Sequence, residues 1–141
     1  MHRHDADDQL AHIPIFSGID AKERGKIRNM MTGMNVDTGR VLVKQGTYGH
    51  EFFVIQSGTA KVERDGELVA EIGPGDFQGE ISLIDGGLRT ASVTATSPME
   101  LLVASHQEFT SLLDRDPIIA RQMLPGLVAR LRSMANHPHT D

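Results

Sequence analysis

Glu80 and Arg89 are the two residues of this chain whose types and setting best suit ligand chemistry. Glu80 begins an apolar run at helical spacing, and Gly86-Gly87 ends that run as a helix C-cap would. The first N–H groups of a helix have no partners within the helix, so they attract anions. Arg89 follows the glycines directly, and a guanidinium can bind two phosphate oxygens at once. We therefore predict that residues 77–92 bind a small phosphate-bearing molecule.

The same residues also allow a purely structural interpretation. Gly79 lets a ligand approach the backbone closely because it has no side chain. If Glu80 is buried, its carboxylate needs hydrogen-bond donors, and both Arg89 and a sugar hydroxyl are candidates. Residue chemistry alone leaves open an ion pair between Glu80 and Arg89 that only closes a loop.

Short strands separated by turns are predicted across the middle of the chain. The strand predictions cover residues 40–44, 51–57, 59–64, 67–72, 91–95 and 99–104. The Asp65-Gly66 pair predicts a two-residue hairpin, and apolar residues on both faces of 51–57 predict a strand buried between layers. Turns at this frequent spacing favour a sandwich, jelly roll or barrel over alternating βαβ units.

Helical patterns are predicted before and after the strands. Residues 13–34 carry apolar side chains at helical spacing, with Asp20 as a helix N-cap. Residues 107–113 predict a short helix, and residues 118–134 predict an amphipathic one. Pro125-Gly126 is expected to kink or split the second of these helices.

The length and composition are typical of one domain that folds without disulfide bonds. The 141 residues predict a single domain at residues 13–134 between disordered tails at 1–12 and 135–141. Because the chain has no cysteine, it has no disulfide, no thiolate metal ligand and no cysteine nucleophile. No apolar stretch approaches the roughly 20 residues of a membrane helix, and the N-terminus does not resemble a secretory signal. We expect a cytoplasmic protein without a membrane span.

The sequence of residues 79–92, GEISLIDGGLRTAS, closely resembles the phosphate-binding cassette of the cyclic nucleotide-binding domain family. Bacterial catabolite-activator-type regulators, protein kinase A regulatory subunits and cyclic-nucleotide-gated channels share this domain. The likeness extends to IPIFSGID (13–20), VLVKQGTYGHEFFVIQSGTAKV (41–62) and IGPGDFQGE (72–80). It implies a mainly β fold, a jelly-roll-like β-roll with N-terminal helices, a short phosphate-binding helix and C-terminal helices.

The resemblance also implies a role for each residue of the cassette. The ligand-binding residues that it marks are Gly79, Glu80, Ile81, Ser82, Arg89, Thr90 and Ala91. Glu80 would accept the ribose 2′-hydroxyl, and Arg89 would hold the phosphate oxygens. Thr90 would reach the phosphate or the base through its hydroxyl. Backbone N–H groups of Ile81, Ser82 and Ala91 would complete the phosphate-binding site.

The family implies a cyclic nucleotide as the ligand and no cofactor. Thr90 suits a hydrogen bond to guanine as well as to the phosphate of cyclic AMP, and we favour cyclic AMP over cyclic GMP. Leu127 and Leu131 are candidate lid residues that would close over the base. The chain departs from the family pattern at Gln78, which makes the pocket rim more polar, and at Pro125-Gly126, which interrupts the lid helix.

Two enzyme classes fit the sequence less well. A serine hydrolase would need a G-x-S-x-G motif, which the chain lacks. A cupin-like metal-binding β-barrel enzyme is the stronger alternative, because residues 49–58 (GHEFFVIQSG) resemble a cupin strand. A cupin site needs several converging His and carboxylate ligands, however, and His50 is the only histidine of the strand region before His106. We therefore expect a sensor domain and not an enzyme.

Charge and length argue against direct DNA binding. The net charge is −5, whereas a duplex-DNA reader usually carries a basic patch. The cluster Arg121, Arg130 and Arg132 is more typical of a solvated helix face. The chain stops at Asp141, and we expect either a stand-alone sensor without an added helix-turn-helix domain or a fragment of a larger protein. The expected partners are therefore an unknown protein effector or a second copy of the chain, bound through the C-terminal helix.

Overall fold

Strands arranged in two antiparallel sheets form the centre of the computed structural model, which describes residues 9–85 and 87–136. The strands are β1 Thr32–Val36, β2 Val41–Val43, β3 Glu51–Ser57, β4 Ala60–Arg64, β5 Glu67–Ile72, β6 Phe77–Gln78, β7 Ser92–Ala95 and β8 Met99–Ser105. One sheet has the order β1-β8-β3-β6, and the other has the order β2-β7-β4-β5.

Helices lie before, within and after this roll. They are α1 Ala21–Met30, α2 Glu80–Asp85, α3 His106–Arg115 and α4 Pro117–Asn136, with a 3₁₀ turn at Pro14–Phe16. This architecture confirms the mainly β, jelly-roll-like fold with helices at both ends and a short helix between strands. None of the helices within the described residues has the length and apolar character needed to cross a membrane.

β3 is buried on both faces, as its sequence predicted. Phe52 and Val54 belong to a core shared with the helices, here called the helix-side core. Phe53 and Ile55 belong to a second core between the two sheets, here called the inter-sheet core. The alternation of a strand explains this division, because successive side chains point to opposite faces.

The β4–β5 hairpin forms at the predicted turn. Asp65 and Gly66 have φ values of 55° and 81°, which is the left-handed pair that a two-residue hairpin of type I′ requires. Gln45, in the loop after β2, holds the turn, because its amide accepts from Asp65 N–H at 2.9 Å and donates to Asp65 Oδ1 at 2.9 Å.

The predicted helical segment 13–34 is wrong beyond Met30. Asp20 is the N-cap as predicted, with its Oδ1 accepting from Glu23 N–H at 2.9 Å. The chain then turns extended at Met31 and pairs as β1 with β8. Met34 is 39% exposed on this edge strand. Its helical spacing from the apolar residues of α1 is a coincidence, because a strand follows the helix directly.

α4 runs without a break from Pro117 to Asn136, so of the kink or split predicted at Pro125-Gly126 the split is wrong. The glycine instead allows close packing, since a Cβ at Gly126 would collide with the Pro14 carbonyl oxygen. The N-terminal turn also packs closely against α4 at Gly18, because a Cβ there would lie 2.7 Å from the Gln122 carbonyl oxygen. The first half of α4 is therefore fixed backbone to backbone against the N-terminal turn.

The folded region extends further than the predicted boundaries at both ends. Residues 9–11 are helical, and Leu10 is fully buried in the helix-side core. At the other end α4 continues to Asn136. The tails predicted at 1–12 and 135–141 therefore overlap the folded region, and their remaining parts, 1–8 and 137–141, lie outside the described residues.

Candidate ligand-binding site

Gly79 begins the candidate site with a backbone conformation that favours glycine. Its φ is 89°, and a Cβ would lie 2.6 Å from the Glu51 carbonyl oxygen and against the Arg89 guanidinium. The Gly79 carbonyl accepts from Leu83 N–H at 2.9 Å, which starts α2. Because Gly79 has no side chain, Arg89 can lie beside the start of α2.

Arg89 is held in a groove between two glycines. Nearer the stem of the guanidinium, a Cβ at Gly49 would lie 2.8 Å from Arg89 Cζ and 2.7 Å from Ser82 Oγ. Arg89 Nη2 also donates to the Glu51 carbonyl oxygen. The role of Gly49 was missed in the sequence, where it fell in a predicted turn, although a glycine before a buried strand is a signal of close approach.

Backbone hydrogen bonds fix the segment that carries Arg89. Arg89 N–H donates to the Thr47 carbonyl at 2.7 Å, and Gly46 N–H donates to the Arg89 carbonyl at 3.0 Å. Gly49 N–H donates to the Gly87 carbonyl at 2.7 Å. The loop before β3 therefore pairs with the segment after α2 and sets the position of the arginine.

The Arg89 guanidinium is half-buried and has no ion-pair partner among the described side chains. Burial lowers the pKa of Arg89, and the negative charges of Glu51 and Glu80 act in the opposite direction. Arginine nevertheless stays protonated in proteins. A partly desolvated cation of this kind favours an anion, because the attraction is stronger where water is excluded.

Glu80 pairs with Arg130 on α4 rather than with Arg89. Arg130 Nη2 lies 3.6 Å from Glu80 Oε1, and the two side chains are 35% and 15% exposed. The interpretation of Arg130 as part of a solvated helix face is therefore wrong. Nothing in the local sequence of α4 could show this pair, since it depends on how the helix packs against α2.

The other predicted ligand residues lie around α2 and Arg89, in different environments. Ile81 contributes the backbone of the first turn of α2. Ser82 is buried with its hydroxyl against Gly49. Thr90 is exposed, and Ala91 packs against the inter-sheet core. The structure thus gathers the predicted residues of this segment at one place beside the roll.

The two candidate lid residues do not share one environment. Leu127 is half-buried and packs against the helix-side core. Leu131 is 65% exposed. In this conformation α4 therefore directs only the first of them towards the protein interior.

Histidine contributes a structural contact near the site. The side chain of His106, the first residue of α3, donates from Nδ1 to the Leu83 carbonyl at the end of α2 at 2.7 Å. Its backbone N–H donates to the His50 carbonyl at 2.7 Å. Within residues 9–85 and 87–136, no three or more His, Asp or Glu side chains are grouped to hold a metal ion. The cupin-like alternative thus finds no support.

Comparison with known proteins shows the family and the fold of this chain. A family model described as "Cyclic nucleotide-binding domain" matches residues 34–116. The solved N-terminal domain of a transcriptional regulator from Streptomyces coelicolor A3(2) is 30% identical, and the similarity covers 92% of this chain and 96% of that domain with a TM-score of 0.82. The catabolite activator protein of Thermus thermophilus is 29% identical, with coverage of 86% and 60% and a TM-score of 0.68.

Curated relatives are longer than this chain. A cAMP-dependent protein kinase regulatory subunit of Yarrowia lipolytica is 32% identical over 109 residues, which are 76% of this chain and 29% of that subunit. The corresponding subunit of Hypocrea atroviridis is 34% identical over 74% of this chain and 22% of its own length. The chain therefore corresponds to one domain of these larger proteins.

Proposed function

The chain belongs to the cyclic nucleotide-binding domain family, and on that basis we propose that it is a cytoplasmic cyclic AMP sensor and not an enzyme. Residues 79–91 would hold the nucleotide, with cyclic GMP as the second choice and without a cofactor. One observation carries the proposal: two glycines hold the Arg89 guanidinium beside α2, and no described carboxylate pairs with it.

The phosphate would bind Arg89 at the start of α2. A guanidinium binds two phosphate oxygens through parallel N–H donors, and partial burial strengthens the contact. Backbone N–H groups of Ile81 and Ser82 lie in the first turn of α2, where no intrahelical acceptor is available to them. Thr90 and Ala91 follow directly and would close the cradle on its other side.

The ribose would bind at Glu80. The ion pair with Arg130 uses Glu80 Oε1, so Oε2 is the atom that would accept the 2′-hydroxyl. A carboxylate hydrogen bond of this kind is charge-assisted and stronger than a neutral one. The cyclic phosphate and the 2′-hydroxyl are together the two features that this site would recognise.

The choice of cyclic AMP rests on the relatives. Four kinase regulatory subunits that the chain resembles carry cAMP dependence in their names, and one cGMP-dependent protein kinase is similar to the chain at 32% identity. The exposed Thr90 hydroxyl suits either nucleotide, so the side chain alone does not separate them.

Signalling would proceed by a shift of the C-terminal helix. A ligand moves a conformational equilibrium only if it binds the two states with different affinity. The pair between Glu80 and Arg130 would supply such a difference, because a ribose hydroxyl on Glu80 Oε2 would hold Glu80 in place and so favour the state in which Arg130 pairs with Oε1. Since Gly126 fixes the first half of α4, the part that would move begins at Leu127 and includes Leu131.

A second copy of the chain is the partner that we favour over an unknown effector. Exposed apolar residues on α4 follow the alternating spacing of a coiled-coil seam; they are Leu124, Val128, Leu131 and Ala135. Three of them are 57%, 47% and 65% exposed. Sedimentation should therefore show a dimer that Leu131→Glu dissociates, and a wild-type monomer at all concentrations would contradict this arrangement.

Calorimetric titration of the wild-type chain with cyclic AMP, cyclic GMP and 5′-AMP tests the proposal as a whole. We expect cyclic AMP to bind most tightly and 5′-AMP to bind at least about tenfold more weakly, which corresponds to about 1.4 kcal/mol. Equal binding of the cyclic and linear nucleotides would contradict recognition of a cyclic phosphate. Absence of heat and of competition with all three would contradict nucleotide sensing itself.

A further inference from the structure

Arg64, the last residue of β4, points to the inner face of the roll. Ala60 and Val62 on the same strand are buried in the inter-sheet core, and side chains of a strand alternate between its two faces. Lys61 and Glu63 occupy the outer face, where they form an ion pair at 3.5 Å. By this alternation Arg64 continues the inner row.

The neighbouring strand places Arg64 beside the proposed nucleotide site. Across the ladder Ala60 pairs with Ala95, and Val62 pairs with Val93. The next inner position on the β7 side is therefore Ala91, which packs against the inter-sheet core. Arg64 Nε donates to the Thr90 carbonyl oxygen at 3.3 Å, so its guanidinium lies against the residue that follows Arg89.

The charge of Arg64 is not neutralised by a described carboxylate. Glu67 is its partner across the hairpin and shares the same face, yet the two form no ion pair in the described part of the chain. A single backbone carbonyl occupies Nε and leaves the other N–H donors of the guanidinium available. A half-buried cation with unused donors favours an anion.

We propose that Arg64 is a second phosphate-binding cation, which contacts the ligand phosphate from the β4 side while Arg89 contacts it from the Gly49–Gly79 groove. This inference rests on the proposed function and adds to it a residue outside the segment that carries Arg89. The two arginines meet the same short segment, because Arg89 directly precedes Thr90 and Arg64 Nε donates to the Thr90 carbonyl oxygen. Two cations would then bind the ligand phosphate, and the site would favour anionic ligands over neutral ones.

Lys61 offers a matched control for the test. It carries the same charge on the same strand but lies on the outer face. Calorimetry with cyclic AMP at several salt concentrations should show that Arg64→Gln weakens binding about 5- to 30-fold, in the range of one charge-assisted hydrogen bond. The salt dependence of binding should also fall, because one cation near the phosphate is lost. Arg64→Lys should recover part of the affinity, and Lys61→Gln should change it less than about twofold.

The outcomes separate this inference from the proposed function. If wild-type binds cyclic AMP and Arg64→Gln binds with the same affinity and salt dependence as Lys61→Gln, the role of Arg64 is wrong while the nucleotide site stands. If Arg64→Gln weakens only cyclic GMP, Arg64 contacts the base, and the phosphate assignment is wrong. If wild-type binds no cyclic nucleotide, both the site and the inference are contradicted.

Discussion

Arg130 Nη2 on α4 lies 3.6 Å from Glu80 Oε1 at the start of α2. One ion pair thus joins the C-terminal helix to the segment that we propose as the nucleotide site. Partly exposed pairs of this kind contribute only about 0.2–1 kcal/mol. The pair is therefore weak enough for a ligand contact at Glu80 Oε2 to change its strength.

Removal of the ribose 2′-hydroxyl should weaken binding through Glu80. We expect 2′-deoxy cyclic AMP to bind the wild-type chain about 10- to 100-fold more weakly than cyclic AMP, because Glu80 Oε2 then loses its hydroxyl donor in a site closed to water. Glu80→Ala should abolish this difference in calorimetry, whereas Asp37→Ala, at an exposed acid after β1, should retain it. Equal wild-type affinity for the two ligands would reduce Glu80 to a structural residue.

Ligand binding should protect the second half of α4 from hydrogen exchange through Arg130. In the wild-type chain we expect slower exchange at residues 79–91 and at 127–134 when cyclic AMP is bound. Arg130→Gln should retain the first effect and lose most of the second. Arg132→Gln, at an exposed arginine on the same helix, should retain both. Wild-type protection confined to 79–91 would contradict the lid model.

The contact of Lys26 with Asp116 should make stability depend on pH. Lys26 Nζ lies 2.5 Å from Asp116 Oδ2, and its hydrogen bond lowers the pKa of Asp116, although burial acts in the opposite direction. A lowered folded-state pKa gives a contribution that is present above the unfolded value, about 3.9, and is lost as the pH falls through the folded value.

Lys26→Met should therefore flatten the loss of stability on acidification from about pH 5 towards pH 2. Urea unfolding at a series of pH values measures this change. Lys44→Met, at an exposed lysine after β2, is the control and should retain the wild-type dependence. The same dependence in Lys26→Met and wild-type would show that the contact does not contribute to stability.

Gly126 should tolerate no side chain because α4 approaches the N-terminal turn there. Gly126→Ala brings a Cβ into the Pro14 carbonyl oxygen, and overpacking of this kind costs about 1–3 kcal/mol. Gly25 in α1 is the matched control, since a Cβ there meets nothing within 4 Å. Gly25→Ala should stabilise the fold by about 0.5–1 kcal/mol through helix propensity. Urea unfolding that shows the same sign for both variants would contradict the close packing.

The sequence predicted the features that depend on local residue patterns. The bounds of β3 and the turn at Asp65-Gly66 follow from alternation and turn chemistry, which are properties of neighbouring residues. β1 was missed because Met34 continued a helical spacing by coincidence. The role of Arg130 could not be predicted, since it depends on a partner distant in the sequence. The position of Gly49 before a buried strand signals a close approach, but it does not identify Arg89 as the residue that approaches.

Calorimetric titration of Arg89→Ala with cyclic AMP is the most direct test of the nucleotide site. Loss of a charge-assisted, bidentate phosphate contact should weaken binding by roughly 30- to 1000-fold. Arg89→Lys should recover only part of the affinity, because the planar fork is lost, and Arg40→Ala, at an exposed arginine, should bind as wild-type does. A folded Arg89→Ala variant, verified by circular dichroism, that binds cyclic AMP with wild-type affinity would contradict the phosphate site.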